Sequence, residues 1–174
     1  MSPLDPYEHQ QLDQIRAWRA QQPGLATRTI GKASGPLAQA AEKVVPTMLL
    51  RVGLDTAHAA AVRLADRKSI LKRAGVGAVE DLRGVSLTTC DELAQHVGRR
   101  AALLAGGSGA LFGIAGGLGL AADLPTLLTL TFRTIHRTGL CYGEDLAAPE
   151  RRPLPVAVFA LASANSMEEK QEAL

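Results

Sequence analysis

Residues 101–122 are the longest uncharged run of the chain, and they restrict its folding more than any other stretch. As one unbroken helix these 22 residues would rise about 33 Å, close to the thickness of a bilayer core. Seven of them are glycine, at 106, 107, 109, 113, 116, 117 and 119, and each glycine costs about 1 kcal/mol of helix propensity relative to alanine. Close packing has to offset that cost. Ala101, Ala105, Gly109, Gly113, Gly117 and Ala121 follow one another at four-residue intervals, a ridge of small side chains that lets a second helix approach closely. The opposite side carries Leu104, Leu111, Phe112 and Leu118, which need a cover of protein or of lipid. Three arrangements satisfy this pattern: a hairpin buried in a helical core, an insertion at the membrane interface, and a full span.

Asp123, Leu124 and Pro125 read as a restart, with Asp123 as the structural cap of a new helix and Pro125 in its first turn. Nine uncharged residues separate Asp123 from Arg133, about 14 Å of helix, too short for a second crossing. Arg133, His136 and Arg137 are three and four positions apart and project from one helix face. In that position they either clamp a phosphate or lipid headgroup or sit in water, complementing the dipole of their own helix end. With Gly109, Gly113 and Gly117 they are the candidate lipid-contact or partner-contact residues.

The remaining patterns are helical too. Residues 7–21 place Leu12, Ile15 and Trp18 at helical spacing before a Pro23-Gly24 stop, and Trp18 reads as a packing anchor. A second stretch from Gly35-Pro36 to Leu49 is interrupted by Pro46. Residues 55–74 read as one helix with Ala57, Ala61, Leu64 and Leu71 on a face and Gly75 as its stop. After a loop over 76–86, Thr88 or Thr89 is expected to cap a helix bearing Asp91 and Glu92 in its first turn. No segment alternates as a strand does. The expected fold class is all-α, a single helical domain over residues 1–174 with a central glycine-rich apolar hairpin.

With 47% apolar residues the chain can build a core, while a net charge of +2 and 3% aromatic residues argue against nucleic acid as a partner. Cys90 and Cys141 lack a CxxC spacing and fit a reducing compartment. The first 22 residues carry Asp5, Glu8 and Asp13 and lack the basic start and apolar run of a signal peptide. The expected location is the cytoplasm, extending to a peripheral position at the inner face of the membrane.

Catalytic motifs are incomplete. Gly106-Gly107-Ser108-Gly109-Ala110 approaches a nucleophile elbow, and residues 117–122 (GLGLAA) approach a dinucleotide fingerprint, but both need a preceding strand where the pattern is helical. His9, His58, His96 and His136 form no HxxxH or HExxH array. The sequence therefore points to no catalytic residues, no cofactor and no metal.

Several segments together resemble one family. These are YEHQQLDQIRAW from Tyr7, DELAQHV from Asp91, GGLGLAADLPTLLTLTFRTIHRTGLCYGED, and PERR from Pro149; the chain resembles the EcsC family of bacterial proteins through them. The resemblance implies a helical protein with no agreed biochemical activity, in a family named after a protein encoded beside an ABC transporter linked to secretion. Pro153 and Pro155 depart from the family pattern, in which a helix continues directly, and the closing helices of many relatives are expected to be missing. Two functions follow as expectations. One is a membrane-associated accessory protein whose hairpin contacts membrane lipid or a membrane-protein partner; the other is a soluble helical scaffold whose hairpin is core. An enzyme acting on lipid-like substrates comes third.

Overall fold

The computed structural model describes residues 4–21, 47–112, 116–151, 153–164 and 166–174, and for 47–52, 105–112 and 116–124 it describes the helix but not the side chains. Seven α-helices cover these residues, and among them there is no strand. They are α1 (Pro6–Ala20), α2 (Thr47–Arg63), α3 (Arg67–Ala74), α4 (Leu87–Phe112), α5 (Gly116–Cys141), α6 (Pro153–Ser163) and α7 (Met167–Glu172), with 3₁₀ turns at Glu80–Gly84 and Pro149–Arg151. The expected stretch from Gly35 to Leu49 lies outside the described residues as far as Pro46.

Local chemistry accounts for most of the boundaries. Asp5 and Glu8 form a reciprocal capping box at the start of α1, with Pro6 in its first turn. Gly75 ends α3 at φ 72°, the left-handed geometry that favours glycine. At α4 the cap is Ser86 rather than Thr88 or Thr89, since Ser86 Oγ accepts from the Thr89 amide at 3.4 Å. Pro153 and Pro155 fall in the first turn of α6, where a missing amide hydrogen costs little.

Two further sequence expectations are corrected. Asp123 does not cap a new helix: the backbone is helical from Gly116 to Cys141 and passes through both Asp123 and Pro125. Proline removes one intrahelical bond, but the apolar pattern on either side is continuous, and packing of α5 against its neighbours outweighs the local loss. Residues 55–74 form two helices, because the chain turns over Leu64–Asp66 and Asp66 takes φ 49° before α3 begins.

α5 is the hub, packing on α2, α3, α4 and α6. One core cluster joins Ile70, Leu82, Leu93, Val97, Leu140 and Cys141. A second joins Ala57 and Ala61 of α2 to Phe132 of α5, with Phe159 of α6 packed against it; the Phe132 and Phe159 rings lie 5.6 Å apart. By contrast α1 buries none of its residues. Among the described residues no helix is long and apolar enough to cross a membrane, and the uncharged run is divided between α4, which ends at Phe112, and α5, which begins at Gly116.

Candidate functional site

The turn between α2 and α3 is held by the arginines that the sequence singled out. Helix α2 ends with carbonyl groups that have no partner in their own helix. Arg133 donates through Nε to the carbonyl oxygen of Leu64 at 2.7 Å, and Arg137 donates through Nη1 to that of Ala65 at 3.1 Å. Arg137 also pairs with Asp66 at 3.5 Å and is only 6% exposed. The pair therefore neutralises the negative end of α2 rather than the end of its own helix. Asp66 in turn accepts from the Ser69 amide, which starts α3. Burial, with the neighbouring Arg137, holds the Arg133 guanidinium below its ordinary value.

His136 shares the face of Arg133 and Arg137, and like Arg137 it is turned inward. It is 2% exposed, and its Nε2 lies 3.4 Å from Nδ1 of His58 on α2. The His58 ring also packs edge-on to Phe132, with centroids 5.9 Å apart. Burial and the His58 ring push the His136 imidazole down to about 4, so it is neutral at pH 7.

This corner encloses a cleft of about 340 Å³. Val62, Ala65 and Leu140 supply apolar lining, His136 lines the interior, and Arg63, Asp66, Arg67, Lys68 and Asp145 supply charge. Arg67 is tied to Asp145 by an ion pair. Periodicity could not find the cleft, because it depends on the chain breaking at Asp66 and on His58 meeting His136 across 78 positions.

A second constellation joins three distant segments. Asp91 on α4 accepts from the Tyr142 hydroxyl at 2.5 Å and from the Tyr7 hydroxyl at 2.7 Å. Burial and the hydrogen bond to Asp91 raise the Tyr142 phenol well above its usual range, so it remains a neutral donor. Next to it, Gly143 takes φ 75°, and a Cβ there would stand 2.6 Å from Arg83 Cγ and 3.0 Å from the Arg83 amide nitrogen. Glu144 pairs with Arg83 at 3.3 Å and Arg151 at 3.0 Å. Glu144 Oε2 has no aligned hydrogen bond, so the Arg151 contact is an ion pair without hydrogen-bond geometry.

Lys170 repeats the use of a buried cation on a helix end. Only 4% exposed, its Nζ donates to the carbonyl oxygens of Trp18 and Gln21 at the end of α1 and lies 4.0 Å from the Trp18 ring centroid. Trp18 is itself exposed, so it covers an ammonium group instead of anchoring the core.

Of the other sequence candidates, Gly109 lies in α4 and Gly117 in α5, while Gly113 lies outside the described residues. Cys90 and Cys141 are buried free thiols. No group of three or more His, Cys, Asp or Glu side chains is placed to hold a metal among the described residues. Exposed large apolar side chains include Leu103 and Leu104 on α4 and Leu154, Val156 and Val158 on α6, and Leu103 reaches 76% exposure.

The sequence matches the EcsC protein family over residues 9–174. It is 33% identical over 87 residues to the uncharacterized protein YdbA of Bacillus subtilis (strain 168), an alignment spanning 50% of this chain and 32% of that protein. The chain thus covers about a third of the length of that relative. No solved structure matches it.

Proposed function

The chain belongs to the EcsC protein family, and from that premise we propose that it is a membrane-associated accessory protein that binds a lipid surface peripherally, through the far end of α4 rather than through Arg133 and Arg137. The observation that carries this reading is Leu103, 76% exposed and three positions beyond the exposed pair Arg99 and Arg100. Exposed leucine next to arginine at the entrance to an uncharged, glycine-rich run is the composition of an interfacial segment: apolar groups enter the acyl boundary and the cations meet anionic headgroups. Leu154, Val156 and Val158 of α6 are also exposed.

The hydroxyls of α5 fit this environment. Thr129, Thr131 and Thr134 donate to the carbonyl oxygens of Pro125, Leu127 and Leu130, each at 2.8 Å. Side-chain hydroxyls satisfied by their own helix need no water. Arg137 and His136 are buried among protein groups, so the headgroup contacts fall to Arg99 and Arg100.

Flotation with neutral and anionic vesicles tests the proposal. Binding is expected to prefer anionic vesicles and to weaken with salt by about a factor set by two arginines, each contributing about 1 kcal/mol near the surface. Leu103→Asp should abolish it without unfolding the protein. A folded wild type that stays with the soluble fraction under every lipid and salt condition would establish the scaffold reading instead.

A further inference from the structure

We propose that the cleft between the α2–α3 turn and α5 is a binding site for a phosphate monoester or inorganic phosphate, with Arg63 and Lys68 as its charge-bearing rim and His136, backed by His58, lining its interior. The site is distinct from the proposed lipid-facing end of α4 and does not depend on it.

Charge balance comes first. Of the five charged residues on the lining, Asp66 is paired with Arg137 and Arg67 with Asp145. Among the described residues Arg63 and Lys68 have no ion-pair partner, so the rim carries unbalanced positive charge. Two cations facing one cleft with partly apolar walls concentrate field on its contents.

Geometry adds to this. The cleft opens at the start of α3, whose first residues, Arg67 and Lys68, hold backbone amides without carbonyl partners in their own helix. The turn that presents them is fixed from below by Arg133 on Leu64 and Arg137 on Ala65, so the donors need little reordering when a ligand arrives. His136 lines the interior, and as a neutral ring whose Nε2 lies 3.4 Å from His58 Nδ1 it adds no charge of its own. A volume of about 340 Å³ accepts a phosphate and a few carbon atoms, and Val62, Ala65 and Leu140 supply the apolar wall for the carbon part. A cation is disfavoured by the rim, and a large apolar ligand by the volume.

Free phosphate and a phosphomonoester lipid headgroup share this chemistry. A titration with inorganic phosphate, followed through the imidazole nitrogen resonances of His58 and His136, locates the site. Saturable shifts of those resonances are expected, with affinity lowered about tenfold or more in an Arg63→Gln, Lys68→Gln double variant, equivalent to at least about 1.4 kcal/mol. A Lys72→Gln, Arg73→Gln double variant carries the same charge change at the opposite end of α3 and should bind as the wild type does. The proposal is overturned by unsaturable shifts, by shifts that leave the histidines unmoved, or by equal losses in both double variants. Vesicles of phosphatidylcholine with and without phosphatidic acid identify the source: competition by the phosphatidic acid vesicles alone assigns the site to a headgroup, and no competition beside saturable phosphate binding assigns it to a soluble ligand.

Discussion

Arg137 of α5 donates to the carbonyl oxygen of Ala65 at 3.1 Å, so one buried guanidinium finishes a helix that belongs to another part of the chain. Removing it leaves a buried carbonyl without a donor, and an unmet group of this kind costs more than the hydrogen bond itself contributes. Arg137→Met should lower stability by about 2–3 kcal/mol and Arg133→Met, which is less buried, by about 1 kcal/mol. Urea denaturation measures both. A smaller loss for Arg137 than for Arg133 would mean that burial does not set their weight.

The histidine pair makes stability depend on pH. His136 is pushed down to about 4 in the folded chain, against 6.5 for an unperturbed imidazole. Between these values the unfolded chain binds the proton and the folded one does not. Stability is therefore complete above pH 6.5 and falls as pH drops towards 4, by up to about 3 kcal/mol for a difference of this size. His136→Phe should flatten the slope of melting temperature against pH over that window. A wild-type slope that survives the substitution would place the titrating group elsewhere.

Asp91 carries two phenols and should be the strongest single contact of its cluster. Tyr142→Phe removes a charge-assisted hydrogen bond and is expected to cost about 1.5–3 kcal/mol, with Tyr7→Phe costing less because Tyr7 sits nearer the solvent. Since α1 buries no residue of its own, Tyr7→Phe should raise proteolysis within α1 while leaving the global melting temperature nearly unchanged. Equal melting-temperature losses for both variants would contradict this division.

Gly143 combines positive φ with a close approach to the Arg83 backbone. Gly143→Ala meets both penalties, so a loss above about 1 kcal/mol is expected. Arg83→Ala removes the flexible part of the obstacle but not its amide nitrogen, so it should rescue only part of the loss. Full rescue would show that only the side chain stands in the way.

The helices were legible from apolar spacing together with local cap and stop signals: α1, which opens on a capping box although it buries none of its residues, and the stop at Gly75 lie where the pattern places them. The break at Asp66 was not, since Ala57, Ala61, Leu64 and Leu71 hold one period across it and the turn is held by Arg133 and Arg137, which reach it from α5. Asp123 misled for the opposite reason: a local capping signal was present, but tertiary packing carried the helix past it. The arginine–histidine face was visible as a face, but its direction was not, because a helical period does not say whether a cation meets water or another helix's carbonyl groups. Tyr7, Asp91 and Tyr142 stood in separate segments of the family resemblance, and only the fold shows that they share one carboxylate.

Association with a lipid surface through α4 is measured most directly at Leu103. The native thiols are buried, and burial pushes the Cys141 thiol up to about 11, so Leu103→Cys can be labelled selectively with an environment-sensitive fluorophore. Addition of anionic vesicles should shift its emission to the blue and protect it from an aqueous quencher, while the same label at Glu80→Cys, exposed on the 3₁₀ turn, stays in water. Unchanged emission at residue 103 in the presence of anionic vesicles, with the protein folded, would contradict the account.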